Sequence, residues 1–260
     1  QPARAAEDAA VLDAIADGRV ELGLGTGGSL RTLSAFGEDA AHRRAIYDAK
    51  LVRLRSLLDG SADVELYPSA RGLADRIWQA TFSAEGARTI GAHGDGLMLS
   101  RVQPPPPDLP AGASPPRVWD VQRPLIDAYL EALPAGVAPR VLASRSVVVV
   151  DPAERRSMRA LAEQGIGRQL EQLQGVTPGS LSIDELLERS ETHLGTPAEV
   201  IDSLAADVVA AGATEVSVQV HSVDPHPAIA ARSIELFARE VAPALGWKVG
   251  HRLQEERHVA

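Results

Sequence analysis

The chain has 260 residues, with 26 Lys+Arg against 35 Asp+Glu for a formal net charge of −9, 45% hydrophobic residues and no cysteine. The acidic balance argues against a nucleic-acid footprint, and the apolar share is enough for a packed core rather than a disordered chain. Lack of cysteine excludes disulfide frameworks, thiolate zinc sites and cysteine nucleophiles. No apolar run reaches the ~18 residues of a membrane span and no signal-peptide pattern opens the sequence, so a cytoplasmic protein without a membrane partner is expected.

The chain opens on Gln1 in what reads as the lead into a helix, so further residues are expected ahead of it. Val11, Leu12, Ile15 and Ala16 share one face of a helix predicted over 7–15 and stopped by Gly18. A strand follows over Val20–Gly25, then the glycine-rich loop Gly25-Thr26-Gly27-Gly28-Ser29, then a long polar helix over 40–58. The next strand is predicted at 76–81, a helix starting at Ser83 runs to His93, and Gly96–Ser100 reads as a short buried strand. From Val102 to Arg123 the composition turns proline-rich, with Pro104 to Pro107 consecutive, which predicts a stiff surface loop placed to act as a lid.

A helix is predicted over 124–133, a strand over 141–150 whose terminal valines require burial on both faces, and a helix over 153–173. The stretch to Leu194 reads as irregular. Thr196-Pro197-Ala198-Glu199 is a helix start with a capping box, and its apolar stripe runs through Val200, Ile201, Leu204, Val208 and Val209. The last strand is predicted at 215–221, and the last helix at 228–245 with Ile234, Phe237, Val241 and Leu245 buried. Five short apolar strands alternating with helices define an α/β protein with a parallel sheet.

Three patterns carry candidate chemistry. Glycines after the first strand let backbone N–H groups approach an anion, although such loops are common as plain turns. Ser83-Ala84-Glu85-Gly86 opens a helix, where orphan N–H groups attract anions and Ser83 either caps or donates to a ligand oxygen. On the last strand Val216, Val218 and Val220 share one face while Ser217, Gln219 and His221 share the other, and Gln79 with Thr81 repeats the polar face earlier. A polar face inside a barrel points to a site, whereas in an open sheet it is simply wet. His221 is the best acid/base candidate among seven histidines, with a structural hydrogen-bonding role as the plainer reading. No histidine pair has metal-ligand spacing, so no metal is expected.

The segments Ala6–Asp13, Asp17–Arg19, Glu21–Gly27, Phe36-Gly37, Arg43–Tyr47, Arg76–Thr81, Gly94–Arg101, Gly195–Pro197 and Gln219–Ser222 together resemble the luciferase-like flavin monooxygenases, in the family's order. They are most similar to its bacterial FMN-dependent branch, and the likeness extends to about Lys248. The resemblance implies a single TIM (β/α)8 barrel domain spanning 1–260, here only strands four to eight, without the first three strands. It implies FMN, in reduced form from a separate flavin reductase, with O2 and a small organic substrate as further partners. Thr26, Gly27, Gln79, Ser83, Glu85 through its backbone N–H, Gly86 and Ser100 are then expected to bind the cofactor. His221 and Arg101 are expected at the catalytic centre, Arg101 either on the flavin ring or substrate or as an ordinary rim arginine.

Two alternatives stay open beside it: an F420-dependent hydride-transfer enzyme of the same superfamily, and a shortened flavin-binding protein without catalysis. Five strands leave two sheet edges, Val20–Gly25 and Glu215–His221, so aggregation or association into a homodimer through these edges is expected.

Overall fold

The structure is a computed structural model that describes residues 1–27, 30–70, 72–104, 116–174 and 176–248. By contacts it divides into two compact units, the first formed by 1–99 with 124–141 and the second by 100–123 with 142–260. Every described strand pair within either unit is parallel.

The first unit begins with α1 (Pro2–Ile15) and β1 (Leu22–Leu24), followed by the short α2 (Leu30–Ala35) and the long α3 (Arg43–Leu58). Next come β2 (Ile77–Ala80), α4 (Ala84–Ala92) and β3 (Gly96–Leu99). The register sets Leu24 against Gln79 and Gln79 against Leu97. Ala6, Ala9 and Ala10 of α1 pack with Leu54, Leu57 and Leu58 of α3 and with Ile77 of β2. The stripe predicted to be buried on α1 is exposed instead: Leu12 is 56% and Ile15 77% exposed. Small alanines win the contact face because they let the two helices approach closely, so hydrophobicity alone selected the wrong side of α1. Asp13 is buried beside Arg76, whose guanidinium also donates to the Val20 carbonyl at 2.9 Å and ties the end of α1 to the start of β1.

Helix α5 (Val118–Ala132) starts six residues before its predicted first residue and carries Pro124 inside it. Proline at that point was expected to open the helix, the position it favours. Of the predicted lid loop, 118–123 are therefore helical, and 105–115 lie outside the described residues. In the first unit Tyr129 of α5 is fully buried and donates to the Asp95 carbonyl at 2.9 Å.

The second unit is built on β4 (Val141–Val149), whose Leu142–Ser146 segment pairs with β6 (Glu215–Gln219) and whose Ser146–Val149 segment pairs with β5 (Thr192–Gly195). Strand β5 makes the described strands six rather than the expected five. Its sequence, Thr-His-Leu-Gly, is too short to show alternation. Between β4 and β5 run α6 (Arg155–Gln174) and α7 (Ile183–Arg189), the latter opened by a Ser182/Glu185 capping box within the stretch read as irregular.

The valines of β4 are buried on both faces as expected. Val148 and Val150 join Met158, Ile166 and Leu186, while Val147 and Val149 join Val200, Leu204 and Leu236. The predicted helix after Thr196 is two helices, α8 (Pro197–Ala205) and α9 (Val208–Gly212), because Asp207 turns out of the first and caps the second. The last helical elements among the described residues are α10 (Pro227–Leu236), a π-helical turn at Phe237–Val241 and α11 (Ala242–Ala244). Ile234, expected inside, is 55% exposed, and Leu236 fills the core position instead.

Candidate functional site

At the C-terminal ends of β1 and β2 the chain leaves the first unit's sheet in adjacent loops. A Cβ on Gly25 would meet the Ala80 Cβ at 3.7 Å, which places the start of the glycine loop against the end of β2. Thr26 is half-buried there, and Gly27 has a φ of +78°, a left-handed conformation that glycine adopts without strain. Gly28 and Ser29 lie outside the described residues.

Ser83 is the N-cap of α4, and its Oγ accepts from the Gly86 N–H at 3.1 Å. The Ala87 N–H goes to the Ser83 carbonyl at 3.0 Å. Of the first-turn donors, those of Ala84 and Glu85 have no hydrogen-bond partner among the described residues, and the Ser83 hydroxyl proton is also uncommitted. Capping and ligand donation are therefore compatible at Ser83, since one oxygen accepts from the helix while its O–H points elsewhere. Gly86 has its own steric reason: a Cβ there would fall 2.1 Å from Thr81 Oγ1, so only glycine lets the turn after β2 fold over the helix start.

Gln79 is not on the face expected. It shares a side of β2 with Ile77, which packs on α1 and α3, so it points to the helix layer. It is 2% exposed, accepts from Tyr47 Oη at 2.9 Å and donates to Asp95 Oδ2 at 2.6 Å. Asp95 is in turn paired with Arg55 of α3. Burial is the first cause that pushes the Tyr47 hydroxyl up to about 12, with Arg44 opposing, so Tyr47 stays a neutral donor. The opposite face of β2 holds Trp78, whose Nε1 donates to Glu21 at 2.9 Å and whose ring lies 5.0 Å from the Arg140 guanidinium. Both faces of β2 are buried, so alternation in the sequence did not say which one met the helices.

In the second unit Ser100 follows β3 in the chain. Its carbonyl accepts from Gln122 Nε2 at 2.6 Å and its Oγ from the Val102 N–H at 3.2 Å. Arg101 Nη1 donates to Ser146 Oγ of β4 at 3.3 Å. On β6 Val218 packs with the α8 and α10 cluster, Ser217 is exposed, and exposed His221 lies beyond the strand with Nε2 3.0 Å from Gln219 Nε2. Thr26, Gly27, Ser83, Glu85 and Gly86 thus belong to one unit and Ser100, Arg101 and His221 to the other.

Two polar groups escaped the sequence. Arg145 in β4 and Asp207 before α9 are both wholly buried and ion-paired, with Gln122 Oε1 accepting from Arg145 at 3.0 Å. His193 on β5 is 3% exposed and its Nδ1 is 2.7 Å from Ser203 Oγ. An arginine inside an apolar strand was the available signal for the first, since such a charge requires a buried partner. Among the described residues no group of three or more His, Asp or Glu could hold a metal, and no helix is long and apolar enough to cross a membrane.

Solved structures align with nearly the whole chain. The monooxygenase RslO1 from Streptomyces bottropensis superposes at TM-score 0.70 and 23% identity, covering 94% of this chain and 74% of its own. The oxygenating constituent of 3,6-diketocamphane monooxygenase from Pseudomonas putida, a type II Baeyer-Villiger enzyme in complex with FMN, superposes at 0.64 and 19%, covering 97% and 78%. EDTA monooxygenase from Chelativorans sp. BNC1 does so at 0.59 and 16%, covering 95% and 70%. No curated protein matches. These likenesses show the fold, a partial α/β barrel of the luciferase-like type. The luciferase-like monooxygenase family model matches residues 1–215, and the chain belongs to that family.

Proposed function

We propose that the protein is an FMN-dependent monooxygenase that uses reduced flavin and O2 to oxygenate a small organic substrate. The observation that carries this reading is the family match over residues 1–215, and the FMN complex of the diketocamphane enzyme supports the choice of flavin. The start of α4 fits a phosphate: two backbone donors and one hydroxyl are uncommitted at the positive end of a nine-residue helix. In this reading Ser83 and the Glu85 N–H hold the phosphate, Gly86 keeps the turn open to it, and the Thr26-Gly27 loop closes from β1. Bound reduced flavin supplies the electrons and the oxygen-activating chemistry; the protein supplies anchoring, water exclusion and substrate fit. Ser100 and Arg101 bind at the flavin ring or substrate, and His221 handles a proton. Gln79 positions Tyr47 and Asp95 instead of touching the cofactor. A separate reductase delivers reduced FMN, and the protein acts in the cytoplasm as a homodimer.

The test is titration of the full chain with FMN and riboflavin, followed by oxygenation assays with a reductase present. FMN bound well above riboflavin, with product formed only when reductant is supplied, is the expected result. Equal affinity for the two flavins would remove the phosphate site. Tighter binding of F420 with hydride transfer would move the assignment to the alternative cofactor.

A further inference from the structure

Within the second unit, α6, α7, α8 and β5, with Arg117 and Glu191, line a cleft of about 310 Å³ that is open to solvent on one side, and none of the residues assigned above to flavin lines it. His193 forms part of its wall, and its Nε2 is buried without a hydrogen-bond partner. Buried polar atoms in folded proteins nearly always have a partner, so a bare ring nitrogen on a cavity wall marks a place for one. Burial keeps the imidazole neutral by pushing its pKa down to about 4. Nδ1 lies 2.7 Å from Ser203 Oγ, and in the tautomer in which that hydroxyl donates to Nδ1 the ring proton is on Nε2, which is then a donor.

The acidic groups on the wall are already engaged. Glu199 accepts from Arg155 at 2.5 Å and from the Thr196 N–H at 2.8 Å, and Glu191 accepts from Arg117 and the Val118 N–H. Asp184 and Glu188 stand at the rim, 81% and 62% exposed, where water and salt screen them. Arg159 Nη2 is bonded to Asp184, but its Nε and Nη1, and Nη1 of Arg155, make no hydrogen bond among the described residues. The uncommitted donors on the wall are therefore those of Arg155 and Arg159, both cationic, with His193 Nε2 in the tautomer above, whereas the carboxylate oxygens without a described partner, Asp184 Oδ2 and Glu188 Oε2, belong to the exposed rim groups. Leu187 and Leu194, both nearly buried, add an apolar surface.

We propose that this cleft is a binding site for a small carboxylate with an apolar body, held by the free N–H groups of Arg155 and Arg159 and by His193 Nε2, with its body on Leu187 and Leu194. The volume is at the lower end of small-molecule sites, which suits a ligand the size of benzoate. Charge-assisted bonds from guanidinium to carboxylate give such a site its selectivity for an anion over a neutral amide of the same shape.

Benzoate and benzamide are titrated into the full chain, with and without FMN, followed by calorimetry and by the ring resonances of His193. The expected result is a saturable shift of the His193 resonances by benzoate whether or not FMN is present, with benzamide weaker by about tenfold or more, as one lost charge-assisted bond predicts. Arg159→Gln and Arg155→Gln should each weaken benzoate by a comparable factor. No saturable shift at His193, equal affinity for the two probes, or binding unchanged in both variants would overturn the proposal. Should either variant fold poorly by circular dichroism, the benzoate–benzamide contrast on the unaltered chain decides alone.

Discussion

Replacing Asp207 by Asn isolates the charge of the most deeply buried ion pair in the second unit. Arg145 and Asp207 are both 0% exposed, and Asp207 Oδ1 also accepts from the Val209 and Ala210 N–H groups at 3.0 and 2.9 Å. Through its Oδ1 asparagine keeps that cap, whose loss would add ~1 kcal/mol, but it removes the negative charge and turns the oxygen that faces Arg145 Nε into an N–H donor. Arg145 is then left with neutral acceptors only, the retained amide oxygen at position 207, Gln122 Oε1 and the Ser144 carbonyl, none able to balance a buried cation. The cost of an uncompensated buried charge is about 3–5 kcal/mol, a large part of the ~5–15 kcal/mol that holds a domain folded. Urea unfolding followed by far-UV circular dichroism, and by the emission of Trp119 and Trp247 in this unit, measures it. A loss within about 1 kcal/mol of zero would refute the reasoning, because it would mean that water reaches the guanidinium.

The pH dependence has a defined sign. Burial raises the Asp207 pKa, but the hydrogen bonds and charge of Arg145 outweigh it and leave the carboxyl below its ordinary 3.8. A folded pKa below the unfolded one means that the stabilisation is complete above roughly pH 5 and fades as pH falls through and below 3.8. Asp207→Asn should flatten that part of the acid limb. The double variant Arg145→Met with Asp207→Leu, which leaves no buried charge, should be more stable than Asp207→Asn alone.

Ser83→Ala should weaken FMN by about tenfold or more through one lost bond to a charged oxygen, while leaving riboflavin nearly unchanged in a fluorescence titration. Gly96→Ala should lower the thermal midpoint by an amount equivalent to about 1–3 kcal/mol, because the new Cβ would fall 2.2 Å from Trp78 Cε3 in a ring fixed by Glu21. His221→Ala should reduce turnover while leaving flavin content unchanged, and an equal loss of flavin in absorbance spectra would show that the ring serves binding instead. Arg76→Met should destabilise the first unit by about 2–4 kcal/mol in thermal denaturation, since it leaves the nearly buried Asp13 carboxylate without its cation.

Periodicity and caps in the sequence were enough for most of the elements in their order, but not for α7 and β5, which fall in the stretch read as irregular. Ser83 and Thr196 announce α4 and α8 through their capping chemistry, and the valine run of β4 announces a strand covered on both faces. These signals are local, because they depend on hydrogen bonds and side-chain spacing within a few residues. The glycine loop and the α4 start, the residues proposed for the phosphate, were legible for the same reason.

Which face of an element meets its neighbour is a long-range matter, and there the tertiary structure decided. Alanines rather than Val11, Leu12 and Ile15 pack α1, because close helix approach outweighs side-chain size. Gln79 turns to Tyr47 and Asp95, residues 32 and 16 positions away, and a strand buried on both sides carries no mark of its orientation. Asp207 breaks a continuous apolar stripe because Arg145, 62 positions earlier, needs a carboxylate inside the core. His193 looked like any other histidine until β5 set it beside Ser203 on a cavity wall, since burial and missing partners are properties of the packed chain and not of the residue.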